Sequence, residues 1–148
     1  MQSDNPRSTA SIAGHPIHPM LVPFPIACFI GAWLTDIAYA RTLDLSWANF
    51  SSWLLAAGLV MAVLAAIAGA IDYFSNPRIR AYPAAKIHVI GNVTALALTI
   101  INAFVHSRDG YTGVVPAGIT LSTIVVVILL VTSWMGGQMV FRHGVGVK

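Results

Sequence analysis

Residues 87–106, IHVIGNVTALALTIINAFVH, are long and apolar enough to cross a bilayer, yet they carry six polar side chains. Five of these are His88, Asn92, Thr99, Asn102 and His106. With Ala95 filling the gap, the steps run 4-3-4-3-4, which keeps one helix face turned the same way. At about 100° per residue these positions stay within a sector of roughly 80°, and Thr94 alone falls outside it. Lipid cannot satisfy such a stripe, so it must face other helices. The segment therefore reads as the centre of a bundle. Its Asn and Thr suit interhelical hydrogen bonding, and His88 and His106 mark a candidate site at each end.

Composition agrees. Of 148 residues, 57% are hydrophobic and only 9% charged, with no glutamate, whereas a soluble domain carries about a quarter charged residues. Four apolar segments, about 20–40, 52–74, 85–106 and 114–141, each reach the roughly 20 residues a bilayer core demands. The expected fold is all-α, a transmembrane up-down-up-down four-helix bundle. Residues 1–14 read as a flexible N-terminal arm and residues 15–148 as a single membrane domain. That division leaves no stretch for a soluble catalytic domain, so the chain is not expected to be an enzyme on its own. The first apolar segment is too long for the core of a signal peptide and lacks a small-residue cleavage pattern. The lone Cys28 can form no internal disulfide.

The least ordinary run is GHPIHPMLVPFPI, from Gly14. Pro16 and Pro19 bias His15 and His18 toward extended geometry, and Pro23 and Pro25 suit the first turn of a helix starting near Val22. Asp36 lies about one turn before the end of the first helix, on the same side as Asn102 and His106; it is expected to bond one of them, the alternative being that it reaches headgroup water on its own. The second helix carries a ridge of small residues, Gly58, Ala62, Ala66 and Ala70, that invites close helix packing, and it ends near Asp72. In the fourth, Gly136 and Gly137 permit a close approach before Arg142, His143 and a glycine-rich tail.

With four spans, the N-terminus, the 75–84 loop and the C-terminus share one side. Arg7, Arg78, Arg80, Lys86, Arg142 and Lys148 lie there, against Arg41 and Arg108 on the other side. Six basic residues against two make the first side cytoplasmic, with both termini inside and the protein in a bacterial inner membrane. Topology thus accounts for the net charge of +3, and no nucleic-acid partner is expected. The lipid bilayer is the one partner that composition requires; homo- or hetero-oligomers remain open.

The same side collects His15, His18, His88, His143 and Asp72 from distant parts of the chain. Three chemistries suit such a cluster. A haem b takes two neutral imidazoles; His18 and His88, on the diagonal first and third helices, are candidate ligands, with His143 as the alternative. Arg142, Arg78, Arg80 and Lys86 would then suit its propionates, and Asp72 would orient an imidazole. A single transition-metal ion, zinc, copper or iron, is the second option, with the same histidines as metal ligands. Proton relay along the stripe, in a proton-conducting transport module, is the third. A non-catalytic scaffold or assembly subunit, with a hydrogen-bonded polar cap, needs none of them. Two haems are disfavoured: His88 and His106 are separated by about 27 Å of helix, and the far side offers His106 no second histidine.

At HPIHPMLVPFPI and again at SWMGGQMVFRHGVGV, the sequence resembles a bacterial four-helix membrane family catalogued only as a domain of unknown function, DUF2231. His15, Pro16, His18, Pro19, Asp72, His88, Asn92, Gly136, Gly137, Arg142, His143 and Gly144 match its pattern. Some relatives carry a Rieske-type iron–sulfur domain. The resemblance thus implies an electron-transfer setting, with a Rieske-type protein or a cytochrome as redox partner.

The charge count gives a first prediction. A single cysteine placed near Arg7 in a Cys28→Ser background should be labelled from the cytoplasmic side of inner-membrane vesicles, and one near Arg108 from the opposite side. The reverse pattern would invert the bundle.

Overall fold

In the computed structural model of the protein, which describes residues 5–108 and 112–146, four helical segments are long and apolar enough to span a membrane. A hairpin of two-residue strands, β1 (Ser11–Ile12) and β2 (His15–Pro16), precedes them. The first span joins α1 (Ile17–Leu21) to α2 (Pro23–Thr42), and the second is α3 (Leu45–Ser75). A one-turn helix, α4 (Pro77–Ala81), leads into α5 (Pro83–His106). A kinked turn, Val114–Gly118, in which Val115 is extended (φ −119°, ψ 126°), opens α6 (Ile119–Phe141). Lys148, counted above among the basic residues, lies outside the described residues.

The elements begin and end where local chemistry allows. Pro23, Pro77 and Pro83 each occupy a first helical turn, where the missing N–H costs nothing. Leu43 closes α2 in a left-handed conformation (φ 57°), and Asp44 then caps α3 by accepting from Ser46 N at 2.9 Å. Those bonds from Ser46 hold the exposed Asp44 carboxyl below the usual carboxylate range. The Asp44 cap also explains why α3 starts at Leu45 instead of near residue 52: the polar LSWANFS run forms its first two turns.

α2 packs against α3 and α6, and α5 against the same two, so α2 faces α5 across the bundle and α3 faces α6. An apolar layer, Phe29, Ala32, Leu55, Ala95, Val125 and Leu129, draws on all four long helices. Leu34, Trp53, Ile67, Ile90, Phe104 and Val127 point outward, as lipid-facing positions should. The stripe on α5 turns inward: Ala95, Thr99, Asn102 and His106 are buried, and His88 and Asn92 are half-buried. Thr94, off the stripe, is exposed and bonds its own helix at Ile90 O, 2.9 Å away.

Two further expectations change. The small-residue ridge of α3 runs through Gly58, Ala62, Ala65 and Ala68, while Ala66 and Ala70 are exposed. Strict four-residue steps drift about 40° each around the helix, and only alternating threes and fours hold one face. His15 is extended as expected, but His18 is helical, because Pro19 falls in the first turn of α1, where no intrahelical N–H is required. Residues 5–14 of the arm are tied to the bundle: Ile17 N bonds Ala10 O, and Gly146 N bonds Pro6 O.

Close approach at Gly58 makes the packing testable. A Cβ there would collide with a Phe29 ring carbon and lie 2.9 Å from Cys28 Cβ. Gly58→Val should lower stability by about 1–3 kcal/mol in reversible unfolding from detergent micelles, and Ala66→Val on the exposed face should leave it nearly unchanged.

Candidate functional site

Two polar centres occupy opposite ends of the bundle. At the end holding both termini, His18 on α1 and His88 on α5 meet across the diagonal, with ring centroids 6.1 Å apart and planes at 84°. His18 Nδ1 lies 2.8 Å from Ala65 O of α3, and His88 Nδ1 lies 2.9 Å from Thr132 O of α6. A carbonyl only accepts, so both rings carry their proton on Nδ1, and each neutral ring keeps the Nε2 lone pair. Among the described residues neither Nε2 has a hydrogen-bond partner, and both residues are half-buried. Glycines make room for the rings. A Cβ on Gly69 would lie 2.8 Å from His18 Nδ1, and one on Gly136 would lie 3.2 Å from His88 Cε1. Asn92 braces the site by donating to His88 O at 2.7 Å, and its Oδ1 accepts from Thr132 Oγ1 at 3.4 Å.

The other expected members share this end without joining the pair. Asp72 orients no imidazole. Its carboxylate accepts from Ser8 Oγ at 2.8–2.9 Å, from Thr9 N at 2.7 Å and from Ala10 N at 2.8 Å, and so anchors the N-terminal arm. A short arm offering consecutive backbone N–H groups satisfies a nine-tenths buried carboxylate better than one imidazole N–H would. His143 is exposed and packs on Tyr82, with ring centroids 5.1 Å apart, and His15 is exposed in β2. Among the described residues no three His, Cys, Asp or Glu side chains converge as a metal-ligand group. Arg142 caps α6 with its side chain exposed. Gly137 needs no special room, since a Cβ there would make only an ordinary contact, 3.9 Å from Phe141. The tail glycines serve the arm: Gly144, at φ 62°, turns the chain where any Cβ would strike Asn5, and Val145 N then reaches Met139 O at 2.9 Å.

At the far end Asp36, His106, Ser122 and Asn102 form a closed network, each no more than 3% exposed. His106 Nε2 lies 2.8 Å from Asp36 Oδ1, and its Nδ1 lies 3.0 Å from Asn102 O. Ser122 Oγ donates to Asp36 Oδ2 and accepts from Asn102 Nδ2 at 2.8 Å. A Cβ on Gly118 would lie 2.6 Å from His106 Cε1, so the kinked turn sits directly over the imidazole. A serine, a carboxylate and a histidine are all present, but in the order Ser–Asp–His. The hydroxyl donates to the carboxylate and is not activated by the imidazole, so nucleophilic catalysis has no basis here.

Ser122 and Thr132 were overlooked in a helix dominated by Val, Ile and Leu. The signal was present: Ser122, Val125, Leu129 and Thr132 step by 3-4-3 along the buried face of α6. Ser8 carries no such signal, because nothing local ties it to a carboxylate in another helix.

The profile of a family described as predicted membrane protein, DUF2231, matches residues 14–148. No curated protein and no solved structure matches the chain.

The anchoring of the arm can be tested. Asp72→Ala leaves Ser8 and two backbone N–H groups without their acceptor, a loss of about 1–3 kcal/mol per unsatisfied buried donor. Limited trypsin treatment should then cleave after Arg7 much faster than in the parent protein, while the four spans stay protected.

Proposed function

The chain belongs to the DUF2231 family of membrane proteins, and on that premise we propose that it is a membrane-embedded electron-transfer subunit with one transition-metal centre between His18 and His88. The spacing of the two rings carries this reading. The ring centres are 6.1 Å apart, which leaves room for one metal that both imidazoles would hold at about 2.0–2.1 Å. Two imidazoles would hold a haem iron, which would supply one-electron chemistry. A bare copper or iron ion is the other metal this pair would accept.

The donor set is chemically apt. Both Nδ1–H groups are held by backbone carbonyls, which fixes the tautomer, aims Nε2 and raises the basicity of each ligand. Gly69 and Gly136 give the rings their seats, and Asn92 holds the backbone at His88. Arg80, Lys86 and Arg142 are exposed at the same end and suit the propionates of a haem b. A metal so bound would shuttle one electron. His143, stacked on Tyr82, and His15, in the hairpin, are left outside the ligand set.

The basic residues at this end favour a cytoplasmic orientation in a bacterial inner membrane, where a Rieske-type protein or a cytochrome would be the redox partner. A structural role is the second reading. Each histidine also ties two elements together, α1 to α3 and α5 to α6, as a hydrogen-bonded staple would.

An absorbance spectrum and metal analysis of protein made in haem-replete cells decide among these. A Soret band identifies haem, stoichiometric copper or iron without one identifies the bare ion, and neither leaves the staple. For a metal protein, His88→Ala and His18→Ala should each abolish binding, and His106→Ala and His143→Ala should leave it intact.

A further inference from the structure

Hydrogen-bond directions at the far end fix where protons sit. Asn102 O can only accept, so His106 Nδ1 carries a proton. Asn102 Nδ2 donates to Ser122 Oγ, so the one hydroxyl hydrogen of Ser122 goes to Asp36 Oδ2. His106 Nε2 and Asp36 Oδ1 are then left facing each other at 2.8 Å. Two lone pairs repel at that distance, and a single proton between them turns the contact into a strong hydrogen bond. Whether that proton resides on nitrogen or on oxygen, the pair as a whole is neutral. A neutral pair is the arrangement that a site with 0–3% exposure inside a membrane bundle tolerates best.

One atom of the network lacks a partner. Asn102 Oδ1 is fully buried and accepts no hydrogen bond, and it is the one such side-chain atom among the described residues. An acceptor held there calls for a donor, and water is the smallest that serves. Toward the other end the stripe is interrupted at Ala95 by the apolar layer, and Thr99 spends its hydroxyl on Ala95 O at 2.8 Å. α3 brings Ser51 to this half of the bundle, but its hydroxyl is engaged with Thr35 and Ala32 O. The kinked turn contributes the buried, apolar Val114 and Gly118.

We propose that the Asp36–His106 pair is a proton-binding site, holding one exchangeable proton that enters and leaves from the far end through a water on Asn102 Oδ1. Exchange balances simply. A proton delivered by hydronium gives an imidazolium beside a neutral carboxyl, and loss of either proton to water restores the neutral pair. The site does not depend on a metal between His18 and His88, from which the apolar layer separates it.

Nitrogen-15 NMR of histidine-labelled full-length protein in liposomes tests this, with His106→Gln identifying the signal. The wild type should show a proton shared at His106 Nε2 that is replaced in deuterated buffer. Asp36→Asn should remove the shared-proton signature. Asn102→Leu should keep the His106 signal and slow the replacement by on the order of tenfold. Thr94→Ala, on the exposed side of α5, should behave as the wild type. A bare Nε2 in the wild type, a shared proton that does not exchange over days, or unchanged exchange in Asn102→Leu would each overturn the proposal. The wild-type readings decide the matter even if a variant fails to fold.

Discussion

A polar group facing hydrocarbon has no partner, and this constraint organises the whole bundle. α5 carries five polar side chains on one face, so that face must point at its neighbours, and the neighbours must answer it. Thr132 and Ser122 on α6 answer Asn92 and Asn102, Asp36 on α2 answers His106, and the carbonyl of Thr132 answers His88. Each such bond fixes the rotation and height of one helix against another. The bundle register is therefore written in hydrogen bonds, and apolar packing between them fills the space.

The polar partners separate into two groups because Ala95 breaks the stripe. Around it Phe29, Leu55, Val125 and Leu129 close a dry layer across the bundle. One side of that layer holds two imidazoles with their Nε2 lone pairs uncommitted, and the other holds a carboxylate and an imidazole locked together. The same residue type thus serves different chemistry at the two ends. Where the partner of a histidine is a carbonyl, one nitrogen stays available for a ligand; where it has both a carbonyl and a carboxylate, none does.

The chain ends are coupled through the same economy of buried charge. Asp72 is nine-tenths buried and draws three donors from residues 8–10, while Gly144 and Gly146 let the tail lie against Asn5 and Pro6. The HPIHP and RHGVG motifs thereby share one end, each joined to the arm through its backbone: Ile17 N bonds Ala10 O next to the first, and Gly146 N of the second bonds Pro6 O. His15 and His143 remain exposed there. The arm holds in place the hairpin that leads into α1, and with it the position of His18.

Much of this was readable from residue order alone. Length and hydropathy determined four spans, the spacing of His88 to His106 determined which face of α5 turns inward, and Pro23 and Pro25 determined where α2 begins. The pairing of Asp36 with a far-end partner followed from the cost of an unpaired buried carboxylate. Residue order also pointed to His18 and His88 as diagonal neighbours, because helix order sets the diagonal. It did not determine which groups at the terminal end meet. Sharing an end leaves each side chain several residues of lateral freedom, and only packing decides that Asp72 receives the arm while His143 lies on Tyr82. Nor did it determine which nitrogen of each imidazole is free, since that depends on the carbonyls of Ala65 and Thr132. Backbone carbonyls are the same at every residue, so their placement carries no sequence signal; tertiary structure alone decides it.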